Sequence, residues 1–158
     1  MLAGVKPLII GFGNPLRSDD GLGWHAAKFL RGRFAPEDAQ VIAAHQLAPE
    51  MARAIADASV VIFIDAEEGT TPGRVSARTV LPRAEAPRTF SHDLSPAALV
   101  ACARLLFQKT PPAHLVTVSA REFSPGEALS RQVAAAVPDV AREVERILSC
   151  SDVKAVHS

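Results

Sequence analysis

Two adjacent carboxylates, Asp19 and Asp20, close a glycine-spaced segment that directly follows the apolar run Leu8-Ile9-Ile10. The segment reads Gly11-Phe12-Gly13-Asn14-Pro15-Leu16-Arg17-Ser18-Asp19-Asp20-Gly21-Leu22-Gly23. A strand-to-helix turn built for phosphate wants glycines, backbone N–H groups and little negative charge. This turn brings two acids to the place where an anion would sit, which suits a cation better. Further along, Asp65 ends the run Val60-Val61-Ile62-Phe63-Ile64, His45 follows Gln40–Ala44, and His92 stands between Ser91 and Asp93. Two carboxylates and an imidazole form a mixed oxygen and nitrogen set that fits nickel, zinc, manganese or iron with coordination positions left open. The same carboxylates can act as an acid–base pair on water.

Each of these residues also has a plainer role open to it. An aspartate at a helix start caps it, which applies to Asp19 and Asp20. Asp65 can bond loop amides, His92 can cap or lie in solvent, and His45 can be structural. His25 falls inside the first helical pattern and is expected to pack; His114 and His157 are expected to be peripheral. A dinucleotide site is disfavoured, because Leu16 stands where a third glycine belongs and His45-Gln46 where an acidic ribose partner belongs. There is no Gly-x-Ser-x-Gly elbow, and neither Cys102 nor Cys150 has an obvious positive partner, so water is the expected nucleophile in any hydrolysis.

The elements that must position these groups alternate along the chain. Leu8–Phe12 reads as a buried strand, followed by a helix from about Asp20 to Arg33 with Leu22, Ala26, Phe29 and Leu30 on one face. Gln40–Ala44 is a second strand, and Leu47, Met51, Ile55 and Ala58 mark a short second helix. Val60–Ile64 is an unbroken β-branched and aromatic run that ends at Asp65. Arg74–Val80 is more polar and reads as an edge strand, and Pro82–Thr89 as a loop. A third helix starts between Ser91 and Pro96 and is expected to bury Leu99, Ala103 and Leu106. His114–Ser119 is a further strand. The last helix carries Leu129, Val133, Val137, Val140, Val144 and Leu148 on one stripe, and Pro138 is expected to bend or divide it.

This order predicts an α/β fold: a three-layer sandwich with a twisted, mostly parallel sheet of about five strands between helices. Ligands in such sheets gather beyond the carboxyl ends of the strands, where Asp20, Asp65, His45 and His92 converge. At 158 residues the chain makes one domain, taken as residues 1–149 with a polar tail, 150–158, expected to fray. A formal net charge of zero gives no field favouring nucleic acid or an anionic membrane. Two cysteines in unrelated contexts argue against a disulfide framework. No secretory signal or membrane-length apolar run is visible, so a cytoplasmic location is expected.

The same residues resemble a known family. The Gly11–Gly23 segment is similar to the opening signature of the nickel–iron hydrogenase maturation endopeptidases. The likeness continues through Ile62-Phe63-Ile64-Asp65-Ala66, through Ser91-His92-Asp93-Leu94-Ser95, and from Leu115 to about Leu148. The resemblance implies a protease that removes a short C-terminal extension from the hydrogenase large-subunit precursor after nickel insertion. It implies that Asp20, Asp65 and His92 are both the catalytic and the metal-contacting residues. The nickel would be supplied by the substrate rather than held permanently, and the protease would be a monomer. Many members carry a glycine- and threonine-rich segment after the second strand. His45-Gln46-Leu47-Ala48-Pro49-Glu50 stands there instead, as in a branch resembling the proteases of soluble, bidirectional-type hydrogenases. Two other readings stay open: a non-enzymatic nickel-sensing chaperone docking on the large subunit, and a nucleotide-binding domain.

Overall fold

Unbroken apolar runs can only be satisfied when both faces of a strand are covered, and in this chain those runs form the middle of the sheet. The computed structural model describes residues 5–84 and 94–157, with side chains as far as Ser151. The strands are β1 (Leu8–Phe12), β2 (Gln40–Ala44), β3 (Val61–Glu68), β4 (Val75–Thr79) and β5 (Ala113–Ala120). The helices are α1 (Leu22–Arg31), α2 (Ala52–Ala56), α3 (Pro96–Phe107) and α4 (Arg131–His157), with short 3₁₀ turns at Ser18–Gly21 and Pro49–Met51. The sheet order is β2-β1-β3-β5-β4, parallel throughout except for β4, which runs antiparallel to β5. This is the expected three-layer α/β sandwich.

Strand alternation divides the core in two. Ile9, Ile62, Ile64, Val116 and Val118 face α1 and α4, where they meet Leu22, Ala26, Leu30, Val133, Val140 and Val144. Leu8, Ile10, Val61, Phe63 and Leu115 face the other way, onto Leu47, Ile55, Leu99, Val100 and Ala103 from the α2 and α3 side. Each fully buried Leu or Ile contributes about 1.5–3 kcal/mol of transfer free energy, so both layers are needed to hold the sheet. Among the described residues no helix is long and apolar enough to cross a membrane.

Four local readings change. The helix expected from Asp20 begins as the Ser18–Gly21 turn and becomes α-helical only at Leu22. Leu106 is 63% exposed rather than buried. The inward stripe of α3 continues from Ala103 to half-buried Phe107, whose ring lies 5.2 Å under the Arg53 guanidinium. α4 is one helical run with Pro138 inside it, not divided at that proline. Proline is accommodated there on the exposed side, away from the Val133–Val140–Val144 stripe. β3 does not stop at Asp65 but runs on to Glu68, because β5 pairs with it that far (Glu68 opposite Ala120).

The connections explain where a site can form. From β1 the chain leaves through α1 to β2 on one side; from β2 it returns through α2 to β3 on the other. The boundary between β1 and β3 is thus the point where strand order reverses, which opens a crevice at the carboxyl edge of such sheets.

Candidate functional site

The segment after β1 folds back tightly enough that two glycines are required. Gly13 has φ +143°, and a β-carbon on it would collide with the Asp20 carbonyl oxygen. A β-carbon on Gly23 would collide with the carbonyl oxygens of Phe12 and Ile64 and stand 2.6 Å from Phe12 N. Glycine at these positions lets the start of α1 lie directly on β1 and β3, one residue away from Asp65.

The two neighbouring aspartates do different work. Asp19 is fully buried. Its Oδ1 accepts the Ser130 N–H at 2.7 Å and its Oδ2 accepts the Ser130 hydroxyl at 2.9 Å. Ser130 is the N-cap of α4, since its carbonyl accepts the Ala134 N–H at 2.8 Å. Asp19 therefore ties the loop to the last helix. Ser18 adds to the tie: it has φ 51°, donates its hydroxyl to Ser124 O at 2.7 Å, and donates its N–H to Gly126 O at 2.8 Å. Across the same seam, Gly126 N–H reaches Leu16 O at 2.9 Å and Asp19 N–H reaches Glu122 O at 3.0 Å. Hydrogen bonds from the Ser124 hydroxyl and N–H hold the Glu122 carboxyl below the usual carboxylate range.

Asp20 and Asp65 meet the end of the β1–β3 ladder from opposite sides. The register runs from Leu8 opposite Val61 to Gly11 opposite Ile64 and then stops. One more rung would take the Ala66 N–H to Phe12 O and the Asn14 N–H to Ala66 O. Instead, the Asn14 N–H donates to Asp20 Oδ2 at 3.0 Å, and the Ala66 N–H donates to Asp65 Oδ1 at 2.8 Å. Each carboxylate has taken the amide that would have closed the ladder. Both stand at the mouth of the β1–β3 crevice, half-buried.

His45 is exposed just beyond β2, next to Ala44, whose carbonyl accepts the Gly13 N–H at 3.1 Å. His92 lies outside the described residues, as does the later part of the Pro82–Thr89 segment. α3, which follows His92, starts at Pro96 with the Ser95 hydroxyl accepting the Ala98 N–H at 3.1 Å. Among the described residues no three His, Cys, Asp or Glu side chains come together in a group able to hold a metal ion. His25 packs as expected: its ring meets Trp24 edge-on at 5.1 Å, and its Nε2 is buried without a hydrogen bond among the described residues. Burial holds its pKa below the ordinary value. Cys150 is about 30 Å from Ser130 along α4, too far to act at the crevice. The Ser18 hydroxyl is already committed to Ser124 O.

Asn14, Ser130 and the Glu122–Gly126 seam are the parts that sequence reasoning did not single out. A serine just before an apolar helical stripe is a recognisable cap, so Ser130 carried a signal. Its pairing with Asp19, 111 residues away, carried none.

Taken with its crevice, this fold is that of the hydrogenase maturation proteases. The maturation endopeptidase HybD from E. coli is similar with a TM-score of 0.74 and 22% identity, over 93% of this chain and 94% of HybD. The [NiFe] hydrogenase maturation protease HycI from Thermococcus kodakarensis has a TM-score of 0.74 and 19% identity, over 92% and 93% of the two chains. The hydrogenase 2 maturation peptidase from a Thaumarchaeota archaeon has a TM-score of 0.69 and 23% identity, over 91% and 98%. No protein-family model matches the chain. No curated protein matches it at a significant level.

Proposed function

We propose that this protein is an endopeptidase of hydrogenase maturation. It removes the C-terminal extension of a nickel–iron hydrogenase large-subunit precursor once nickel has been inserted. The observation that carries this reading is the pair Asp20 and Asp65, which interrupt the β1–β3 ladder at the same rung, in a fold shared with maturation proteases. The nickel belongs to the substrate and docks against Asp20, Asp65 and His92. Oxygen donors from two aspartates and a histidine nitrogen are a set that such an ion accepts. When bound, the ion would polarise the scissile carbonyl or acidify a water. Among the described residues, Asp20 is held by Asn14 through Oδ2, which keeps Oδ1 for a ligand or a proton. Asp19, tied to Ser130, acts one layer back by fixing the loop that carries Asp20. A cytoplasmic, monomeric protease is part of the same reading.

The test is in vitro processing of the nickel-loaded precursor, followed by mass spectrometry, with Asp20→Asn, Asp65→Asn and His92→Ala beside the unmodified protein. Each variant is expected to lose at least about 100-fold in rate, as for other groups that touch a reacting centre. Full processing by all three variants would overturn the assignment of the site. Binding of the precursor by the unmodified protein without any cleavage would mark a nickel-sensing chaperone instead.

A further inference from the structure

β3 outlasts its neighbour. β1 pairs with it only as far as Gly11 opposite Ile64, whereas β5 pairs with it as far as Ala120 opposite Glu68. Main-chain groups of successive strand residues point to opposite sides. The Val61 N–H goes to Pro112 O at 2.9 Å and the Gly69 N–H to Ala120 O at 3.0 Å, so the odd-numbered residues of β3 address β5. The Leu8 N–H goes to Val60 O at 2.9 Å, so the even-numbered residues address the β1 side. Past Ile64 those are Ala66 and Glu68. Among the described residues, no main-chain group bonds Ala66 O or the Glu68 N–H and C=O on that side. The Ala66 N–H is held by the neighbouring Asp65 carboxylate.

We propose that the precursor segment carrying the scissile bond binds as an added strand on this edge of β3, through main-chain hydrogen bonds to Ala66 and Glu68. The inference rests on the processing activity proposed above and names how that site holds its substrate. Three features argue for this occupant. Among the described residues this edge presents unmatched peptide donors and acceptors, whose natural complement is an extended backbone. It begins beside Asp65, and the Asn14 N–H that would have closed it is held by Asp20, so a strand laid there starts at both carboxylates. Its surroundings are acidic, with Glu67 and Glu68 exposed and Arg78, 3.6 Å from Glu67, as the cation paired there among the described residues. A precursor segment carrying lysine or arginine side chains fits that field.

Glu68→Pro removes the N–H on the vacant side and leaves the β3–β5 ladder intact, because Glu68 does not address β5. Glu68→Ala removes the side chain and keeps the N–H. With nickel-loaded precursor, Glu68→Pro is expected to lower kcat/KM about tenfold or more, mostly through KM, and Glu68→Ala, which gives up the side-chain charge and keeps the N–H, to lower it several-fold less than Glu68→Pro. Equal processing by Glu68→Pro, with its melting temperature unchanged, overturns strand addition while leaving the peptidase reading intact. If Glu68→Pro fails to fold, the same contact is read in the unmodified chain. Amide exchange at Glu68, followed by NMR, is expected to slow when precursor is added, and no slowing overturns the proposal. An unmodified protein that cleaves no precursor overturns both the activity and this inference.

Discussion

Asp19 and Asp20 are the same residue type, one position apart, and their surroundings assign them opposite tasks. Asp19 has no contact with solvent and spends both oxygens on Ser130. Asp20 spends one oxygen on Asn14 and stays at the crevice. A buried donor that loses its acceptor costs about 1–3 kcal/mol, and Asp19→Ala takes the acceptor from two donors of half-buried Ser130. We expect Asp19→Ala to lower stability by about 2–4 kcal/mol and Ser130→Ala by about 1–2 kcal/mol, read as the shift in urea midpoint. The double variant should be less destabilised than the sum of the two, because both remove the same tie. The chemistry of this loop was legible from its residue types, since two acids in a glycine turn exclude a phosphate. The division of labour was not, because it depends on Ser130 and on where the β1–β3 ladder stops.

At the scale of elements, the placement of α1 decides whether the site exists. Alanine is favoured over glycine inside a helix by about 1 kcal/mol, so an isolated α1 would gain from Gly23→Ala. In the protein the added β-carbon meets main-chain atoms of both β1 and β3, which cannot move aside as a side chain can. Packing strain outweighs propensity here. Gly23→Ala is expected to cost about 2–4 kcal/mol and to lower processing activity, checked by thermal melting together with the precursor assay. β1, β2, β4 and β5 were legible as runs with turn residues at their ends. The extension of β3 through Glu67 and Glu68 was hidden, because those residues look like loop and become strand only through their pairing with β5. The inward face of α3 was misread at Leu106 for a related reason. A helix with apolar residues on more than one face does not announce which face is buried, and Phe107 takes the inward place.

For the molecule as a whole, the three-layer arrangement followed from the alternation of elements, and the split of the core into two faces followed from strand periodicity. Stability over pH is also a property of the whole, and His25 contributes a definite sign. Its folded pKa lies below the ordinary 6.5 because burial disfavours the charged ring. Between those two values the unfolded chain binds more protons, so stability is fully present above 6.5 and falls as pH is lowered through that region toward the folded pKa. Urea midpoints at about pH 7.5 and about pH 5.5 should therefore differ more for the unmodified protein than for His25→Phe. An equal difference in both would show that other groups set the dependence.

The seam between Leu16–Asp19 and Glu122–Ser130 also has a consequence in time. Its hydrogen bonds join residues 106 and 111 positions apart in sequence. On a ribosome, the loop bearing Asp20 emerges early but has nothing to hold it until the segment leading into α4 has been made. Long-range closures of this kind form late in folding. Weakening the seam with Asp19→Ala should thus speed unfolding and leave the refolding rate nearly unchanged, as stopped-flow measurements can show. A nascent chain that stops short of Ser130 would own the Asp20 carboxylate but not its setting, so the processing activity proposed for it would wait until the segment leading into α4 is in place.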